Sequence, residues 1–176
     1  TDRPYNTRPK PATPRDRPVY VGSNPISDIW SEKAIELGGK YLRRAVMNGR
    51  DLEARSQMML ACTYAAVGFG NAGVHIPHAM GYPIAGMVQD YIPSGYKVDY
   101  PLIPHGVAVT VGAPAAFRFT VPACPEKHAR AAELLGLRTE NLSLWDAARA
   151  ISDALISLMR DIDFPNGISA LGYTER

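Results

Sequence analysis

Three of the four histidines in this chain lie in two short apolar motifs, which makes them the first candidates for chemistry. The motif "NAGVHIPHAMGYPIAG" (residues 71–86) contains His75 and His78, and "YPLIPHGVAV" (residues 100–109) contains His105. Neutral imidazole is a common ligand of transition metals, and helical bundles build metal sites from side chains on facing helices. The motifs therefore indicate a metal site as one alternative and buried core histidines as the other.

The spacing of these histidines supports a metal site but does not complete one. His75 and His78 are three residues apart, so both can lie on one face of a helix. His105 follows a proline at the start of a further helical segment. A catalytic metal usually takes three or four protein ligands, so more donors are needed. The fourth histidine, His128, lies in the charged stretch "PEKHARAAELLG", and we expect it to be a solvated surface residue.

Composition limits the classes of partner. A chain of 176 residues with 46% apolar residues is long enough for one domain with a sizeable core. The net charge of +2 gives no sign of a nucleic-acid or anionic membrane partner. No apolar run reaches the ~18 residues that a membrane helix needs. The two cysteines match neither a disulfide framework nor a zinc site, which predicts free thiols in a cytoplasmic protein.

Helix signals recur along the chain and predict an all-α bundle. Asn24 or Ser27 is the candidate N-cap of the first helix, and Asn48-Gly49 is its stop. Further helices are predicted at about 51–70, 73–86, 105–120, 125–136 and 143–162, the last capped by Ser143 with Asp146. Residues 1–20, rich in proline and arginine, are predicted to form an arm or loop.

The predicted helix at residues 51–70 is apolar nearly all round, which is typical of a helix at the centre of a bundle. We accordingly expect Met58 and Met59 to fill the core. The segments "GVAVTV" and "FRFTV" have weak strand character, but their alanine-rich surroundings favour helix.

The two histidine motifs also carry a family resemblance. "GNAGVHIPHAMGYPIAG" followed by "LIPHGVAVTVGAPAAF" resembles the metal-binding helical domain of the iron-containing alcohol dehydrogenases. "VGSNPISDIWSEKAI" and "DLEARSQMMLA" look like segments of that family's hydroxyacid-oxoacid transhydrogenase branch. The resemblance runs from about residue 18 to 173. It implies that residues 21–176 form the all-α, dehydroquinate synthase-like C-terminal domain of a two-domain enzyme, without its N-terminal nucleotide-binding domain.

The resemblance also implies the metal ligands. A divalent metal, Fe²⁺ or Zn²⁺, would be held by an aspartate and a histidine of a D-x-x-x-H helix and by two later histidines. The later two fall on His78 and His105, whereas the first two would lie upstream of this chain. We therefore expect the isolated chain to bind metal weakly or not at all, and to be inactive. His75 is expected to support the ligands or the structure rather than to bind metal itself.

The position four residues after His78 marks a departure from many family members. They have a second histidine there, whereas this chain has Tyr82, which resembles the transhydrogenase branch in this position. Tyr82 is therefore the catalytic candidate, for proton relay or for contact with the nicotinamide. A substrate carboxylate would need a cation, and Lys97 is a candidate although a solvated surface lysine is the alternative.

The activity implied by the resemblance is hydride transfer between an alcohol and NAD(H), with the metal as Lewis acid. NAD(H) would be held mainly by the missing nucleotide-binding domain. The substrates would be a hydroxyacid such as 4-hydroxybutyrate and an oxoacid such as 2-oxoglutarate, in the cytoplasm or in a eukaryote's mitochondrial matrix. One alternative is a simple NAD-linked alcohol dehydrogenase. Another is a stand-alone helical module that binds a protein partner and covers its former interdomain face by forming a homo-oligomer.

Overall fold

A computed structural model of the chain describes residues 9–174, and across that range it contains six α-helices and no strand. The helices are α1 (Pro25–Met47), α2 (Leu52–Ala72), α3 (Ile76–Gly86), α4 (His105–Thr120), α5 (Pro125–Leu134) and α6 (Leu144–Asp161). Short 3₁₀ turns occupy Pro14–Asp16, Val121–Ala123 and Ile168–Leu171. The all-α prediction is confirmed. The first eight residues of the predicted arm lie outside the described part.

Polar side chains at the helix ends explain where the first and last helices begin. The Asn24 side chain accepts hydrogen bonds from the backbone N–H groups of Ile26 and Ser27, and the Ser27 hydroxyl accepts one from the Asn24 N–H. Ser143 caps α6 by accepting from the N–H of Asp146 at 3.2 Å. Such caps satisfy backbone donors that the helix itself leaves unpaired. Both predicted starts are confirmed, with Asn24 as the cap of α1.

The helices pack as three pairs, α1 with α2, α3 with α4 and α5 with α6. α1 and α2 form an antiparallel pair around Leu37, Tyr41, Ala54 and Ala61. α5 and α6 pack with the turn after α4 around Val121, Ala129, Ala147 and Ala148. α3 lies on α4, and α4 lies on α6. A third cluster fixes the start of α4 against the C-terminal segment, and its buried members are Ile103, Ala108, Val111, Met159 and Leu171.

α1 runs without interruption through Gly38 and Gly39 and meets α5 at the second of them. A Cβ atom on Gly39 would lie 2.8 Å from the Leu134 carbonyl oxygen and 2.8 Å from the Leu135 Cα. Backbone cannot give way at that distance as a flexible side chain can. Glycine is unfavourable inside a helix, but at position 39 the missing Cβ atom lets α1 touch α5.

The prediction that α2 is buried at the centre of a bundle is wrong. Only small residues of this helix are buried, namely Ala54, Ala61, Gly68 and Ala72. Leu52 is 77% exposed and Met59 is 71% exposed, so Met59 does not fill the core as expected, while Met58 packs against the α1–α2 cluster. No other described helix lies on its outer side, which is why an apolar helix is left at the surface. None of the described helices is long and apolar enough to span a membrane.

The end of α6 places a non-glycine residue in the left-handed region. Asp163 has φ of 53°, and its N–H bonds to the Arg160 carbonyl while the N–H of Phe164 bonds to the Met159 carbonyl. This pair of bonds is the Schellman motif, in which glycine is the usual residue at the left-handed position. The positive φ of Asp163 is therefore explained by its position at the end of α6 and does not indicate a catalytic or binding role.

Replacing Asp163 by glycine should stabilise the fold by about 1 kcal/mol, because glycine adopts positive φ without the steric cost of a Cβ atom. Removing a negative charge from the C-terminal end of a helix acts in the same direction. Urea unfolding should show a higher midpoint with an unchanged slope. Asp163→Ala removes the carboxylate but keeps a Cβ atom at positive φ, so it should be less stable than Asp163→Gly. A glycine variant no more stable than the alanine variant would show that the backbone conformation is not strained.

Candidate metal centre

His78 and His105 come together where the first turn of α3 meets the start of α4. Their ring centroids are 5.3 Å apart, with an interplanar angle of 57°. α2 ends before Gly73, whose φ is 89°, and α3 begins with Pro77 in its first turn. Pro104 precedes His105 and serves as the N-cap residue of α4. Proline suits these positions because its fixed φ is compatible with a first turn that needs no N–H.

Two glycines let α3 and α4 approach closely enough to bring these rings together. A Cβ atom on Gly81 would lie 3.1 Å from Val109 Cγ2, and one on Gly112 would lie 3.0 Å from Met80 Cε. Both distances are tighter than ordinary van der Waals contact. Larger residues at these positions would have to push the neighbouring side chains aside, so the glycines help to set the separation of the two histidines.

The histidine pair fits two ligands of one metal ion. Because a zinc–nitrogen bond is about 2.0–2.1 Å, two imidazoles on one tetrahedral ion have ring centres roughly 5 Å apart. The observed 5.3 Å agrees with that value. The Nδ1 atom of His78 is buried without a hydrogen-bond partner, although buried polar atoms are normally paired. His105 is exposed, so the pair is open to further ligands on one side.

The surroundings of His78 favour a neutral imidazole at that position. Burial lowers the pKa of His78 below its ordinary value, and the neighbouring His105 lowers the pKa further. A neutral ring keeps the nitrogen lone pair that a metal requires. Between residues 9 and 174 no group of three or more His, Cys, Asp or Glu side chains converges on one point. The described residues therefore offer one pair of donors, which is half of a four-coordinate site.

Tyr82 and Lys97, the other residues singled out in the sequence, are both exposed. Tyr82 lies one helical turn after His78 on α3, and its side chain is 77% exposed. Lys97 lies in the loop between α3 and α4. The structure thus places a phenol beside the histidine pair, on a surface open to solvent.

His75 does not share a face with His78, so that expectation was wrong. It is the N-cap residue of α3, with extended backbone, and its ring packs against Phe117 at a centroid distance of 5.3 Å. It also lines a cavity of about 360 Å³ between α1, α4 and α5. The difference arises because α3 begins only at Ile76, with Pro77 in its first turn, so that His75 lies just outside the helix.

His128 is buried at 6% exposure, so the expectation of a solvated surface residue was wrong. Its Nε2 lies 2.8 Å from Thr120 Oγ1, and its Nδ1 lies 2.9 Å from the Cys124 carbonyl oxygen. A neutral ring can donate to the carbonyl and accept from the hydroxyl. His128 therefore ties the end of α4 to the start of α5. Cys124 is buried and Cys62 is exposed, and no disulfide joins them, as predicted.

The stability of the fold should fall as pH drops below about 6.5, in part because of His128. Burial lowers the pKa of this histidine in the folded state, although its hydrogen bond to Cys124 opposes the shift. As the pH falls, the unfolded chain therefore binds the proton before the folded chain does. The stabilising contribution of the buried, neutral ring is complete above the unfolded-state pKa and is lost as the pH falls to the folded-state pKa. Urea unfolding at pH 7.5 and pH 5.5 should show a smaller loss for His128→Gln than for the original chain. His105→Gln, with metal removed by chelator, is the control, and an equal loss in all three proteins would contradict this role.

Comparison with known proteins identifies the family. Residues 19–176 match the family described as "Fe-containing alcohol dehydrogenase family, C-terminal". The chain belongs to this family. It is 48% identical over 176 residues to the mitochondrial hydroxyacid-oxoacid transhydrogenase of Pongo abelii, a match that covers 99% of this chain and 38% of that protein. For the Xenopus laevis protein of the same name the identity is 49% over 175 residues, covering 99% and 38%. The chain thus spans less than two fifths of these curated relatives.

Two solved oxidoreductase structures share the fold. A 1,3-propanediol oxidoreductase matches with a TM-score of 0.76 and 35% identity over 86% of this chain and 36% of its own. The Oenococcus oeni alcohol dehydrogenase matches with a TM-score of 0.77 and 33% identity over 89% of this chain and 37% of its own. The predicted resemblance to the C-terminal domain of this family, including its transhydrogenase branch, is confirmed.

Proposed function

We propose that this chain is the metal-binding C-terminal domain of an NAD-linked hydroxyacid-oxoacid transhydrogenase. The observation that carries the proposal is the His78–His105 pair, at a separation suited to one metal ion, in a chain that matches this family from residue 19 to 176. The longer protein would hold Fe²⁺ or Zn²⁺, and a nucleotide-binding domain outside this chain would hold most of the NAD(H). Because the named relatives are mitochondrial, a eukaryotic protein would work in the mitochondrial matrix.

The histidine pair would supply two of the metal's ligands. A bound divalent metal provides Lewis acidity, which lowers the pKa of an alcohol and polarises a carbonyl. Burial and the neighbouring His105 lower the pKa of His78, which favours the neutral ring, and the close packing of α3 on α4 holds that ring in place. His105 sits at the open side, where donors from outside the chain can complete the coordination.

Tyr82 would act on the open side of the same site. Its phenol lies on the helical turn next to His78, where it could contact a nicotinamide or donate and accept a proton. Tyr82→Phe keeps the ring and removes the hydroxyl, so the variant separates these two roles. A lowered kcat with a flattened pH profile supports proton relay, and an altered KM for NAD alone supports nicotinamide contact.

Recognition of the substrate carboxylate would need a cation, and α3 provides none. Residues 56–89 contain no Asp, Glu, Lys or Arg, so the end of α2 and the whole of α3 carry no formal charge. Lys97, on the loop that leads to His105, is the candidate cation of this chain. Lys97→Ala should then raise KM for a hydroxyacid more than KM for a simple alcohol of equal length.

The proposed activity is tested in the protein that contains both domains. With a catalytic amount of NAD, 4-hydroxybutyrate should be oxidised in step with reduction of 2-oxoglutarate, and no NADH should accumulate. Omitting the oxoacid should stop turnover once the bound NAD has been reduced. Steady, stoichiometric NADH formation without an oxoacid would show a simple alcohol dehydrogenase instead. Residues 1–176 alone should show no turnover under either condition.

A further inference from the structure

The loop between α3 and α4 (residues 87–104), here called the α3–α4 loop, is closed at its base. The N–H of Leu102 donates to the carbonyl oxygen of Tyr91 at 2.8 Å, so the two legs of the loop are joined. Compact surface loops whose ends lie close together are frequently functional. This loop carries Lys97 and leads directly into His105. Its position relative to the histidine pair therefore depends on how its two legs are held.

The C-terminal turn holds both legs of this loop. The buried cluster around Leu171 supports the leg that enters α4. On the other leg, Gly172 lies so close to Asp90 that a Cβ atom on the glycine would be 3.2 Å from the Asp90 Oδ1 atom. The next residue, Tyr173, reaches the end of α3, where its hydroxyl donates to the carbonyl oxygen of Ile84. Three consecutive residues therefore contact the loop or the helix that precedes it.

α3 is a helix that needs support at its C-terminal end. It has only 11 residues, and isolated helices of that length are marginal. Gly81 and Pro83 weaken it further, because glycine disfavours helix and proline also removes a backbone donor. The Ile84 carbonyl is one of the last four in the helix, which have no partner within it. The Tyr173 hydroxyl supplies that partner, and its ring packs against the neighbouring buried cluster.

We propose that Tyr173 is a positioning residue for the hydroxyacid substrate. Its hydroxyl fixes the end of α3, and through that end it holds the α3–α4 loop where Lys97 meets the substrate carboxylate. The inference rests on the proposed transhydrogenase function and on the role given there to Lys97. His78 lies in the first turn of α3, where the close packing on α4 holds it, so the metal pair should not depend on this hydrogen bond.

The first test is Tyr173→Phe in the two-domain protein, which removes the hydroxyl and keeps the ring. We expect KM for 4-hydroxybutyrate to rise about three- to tenfold, the effect that one hydrogen bond typically has on an equilibrium. The metal content and KM for a simple alcohol of equal length should stay the same. A merely structural role would lower stability without separating the two substrates.

Lys97→Ala completes a double-mutant cycle with Tyr173→Phe. If Tyr173 acts through Lys97, its hydroxyl should make no difference to KM once the lysine side chain is gone. The effects of the two substitutions on KM should then not add. Additive effects would overturn the proposal, because they would show that Tyr173 does not act through this lysine.

Amide hydrogen exchange gives a readout that does not depend on activity. In Tyr173→Phe, exchange should be faster at the end of α3 and in the first leg of the loop, residues 84–91, because the hydrogen bond that closes this region is lost. Exchange at the start of α4 should be unchanged. Equal exchange of residues 84–91 in the variant and in the original protein would also overturn the proposal.

Tyr41→Phe is the matched control. Tyr41 is buried in the α1–α2 pair, and its hydroxyl donates to Glu53 at 3.5 Å. This variant also loses one side-chain hydrogen bond, but both KM values should match those of the original protein.

Failure of this inference can be told apart from failure of the proposed function. An unaltered KM in Tyr173→Phe, in a protein that carries out the transhydrogenation, would overturn the role of Tyr173 alone. A two-domain protein without that activity would overturn the proposed function, and the role of Tyr173 would fall with it.

Discussion

Replacing His105 by alanine is expected to lower the metal affinity of the two-domain protein at least about 100-fold. Loss of a group that merely orients a ligand costs 10–100-fold in many metal sites, so loss of a ligand should cost at least as much. Metal-dependent turnover should be lost with it. Metal content after dialysis against a graded chelator series measures the affinity, and steady-state kinetics measure the turnover.

The same substitution should leave the fold nearly intact. His105 is exposed at the start of α4, and surface substitutions usually change stability by less than about 0.5 kcal/mol. Thermal unfolding of residues 1–176 followed by near-ultraviolet circular dichroism checks this expectation. If His105→Ala unfolds the chain, the histidine is structural, and loss of activity in the longer protein says nothing about metal binding.

Replacing Leu171 by alanine should destabilise the chain by about 2–5 kcal/mol, the usual cost of removing a fully buried leucine side chain. Leu171 is 1% exposed and belongs to the buried cluster that also contains Ile103, Val111 and Met159. That cluster supports the segment that leads into α4 and therefore holds His105 in place. Urea unfolding measures the loss from the shift in midpoint at constant slope.

Ile168→Ala is the matched control, because Ile168 lies in the same 3₁₀ turn but is 48% exposed. Its loss should be well below that of Leu171→Ala. Equal losses would mean that the C-terminal turn contributes through its backbone rather than through burial of Leu171, and that the start of α4 is supported elsewhere.

Local signals in the sequence predict the helices well because their causes are local. Asn24 and Ser143 precede helices whose backbone donors they satisfy, and both caps are observed. His78 and His105 could be paired from sequence only through the family resemblance. These two histidines are 27 positions apart in the sequence, and that spacing does not indicate that the first turns of α3 and α4 meet.

The errors concern burial, which depends on what packs on each surface. His128 has charged neighbours in sequence, yet the end of α4 folds over it and supplies Thr120 as a partner. The spacing of Thr120, Cys124 and His128, four residues at a time, is the signal that could have indicated one buried cluster. α2 shows the opposite error. Its apolar sequence indicates a surface that favours burial, but it does not indicate whether another part of this chain covers that surface.

The most direct test is the NMR spectrum of the imidazole nitrogens of residues 1–176, ¹⁵N-labelled at histidine, during a titration with Zn²⁺ carried to a large excess, because the isolated pair is expected to bind the ion only weakly. We expect the ring signals of His78 and His105 to change together, while those of His75 and His128 stay where they are. That result would show that the two rings brought together by α3 and α4 act as one metal-binding unit. Changes at His75 or His128, or at His105 without His78, would contradict it.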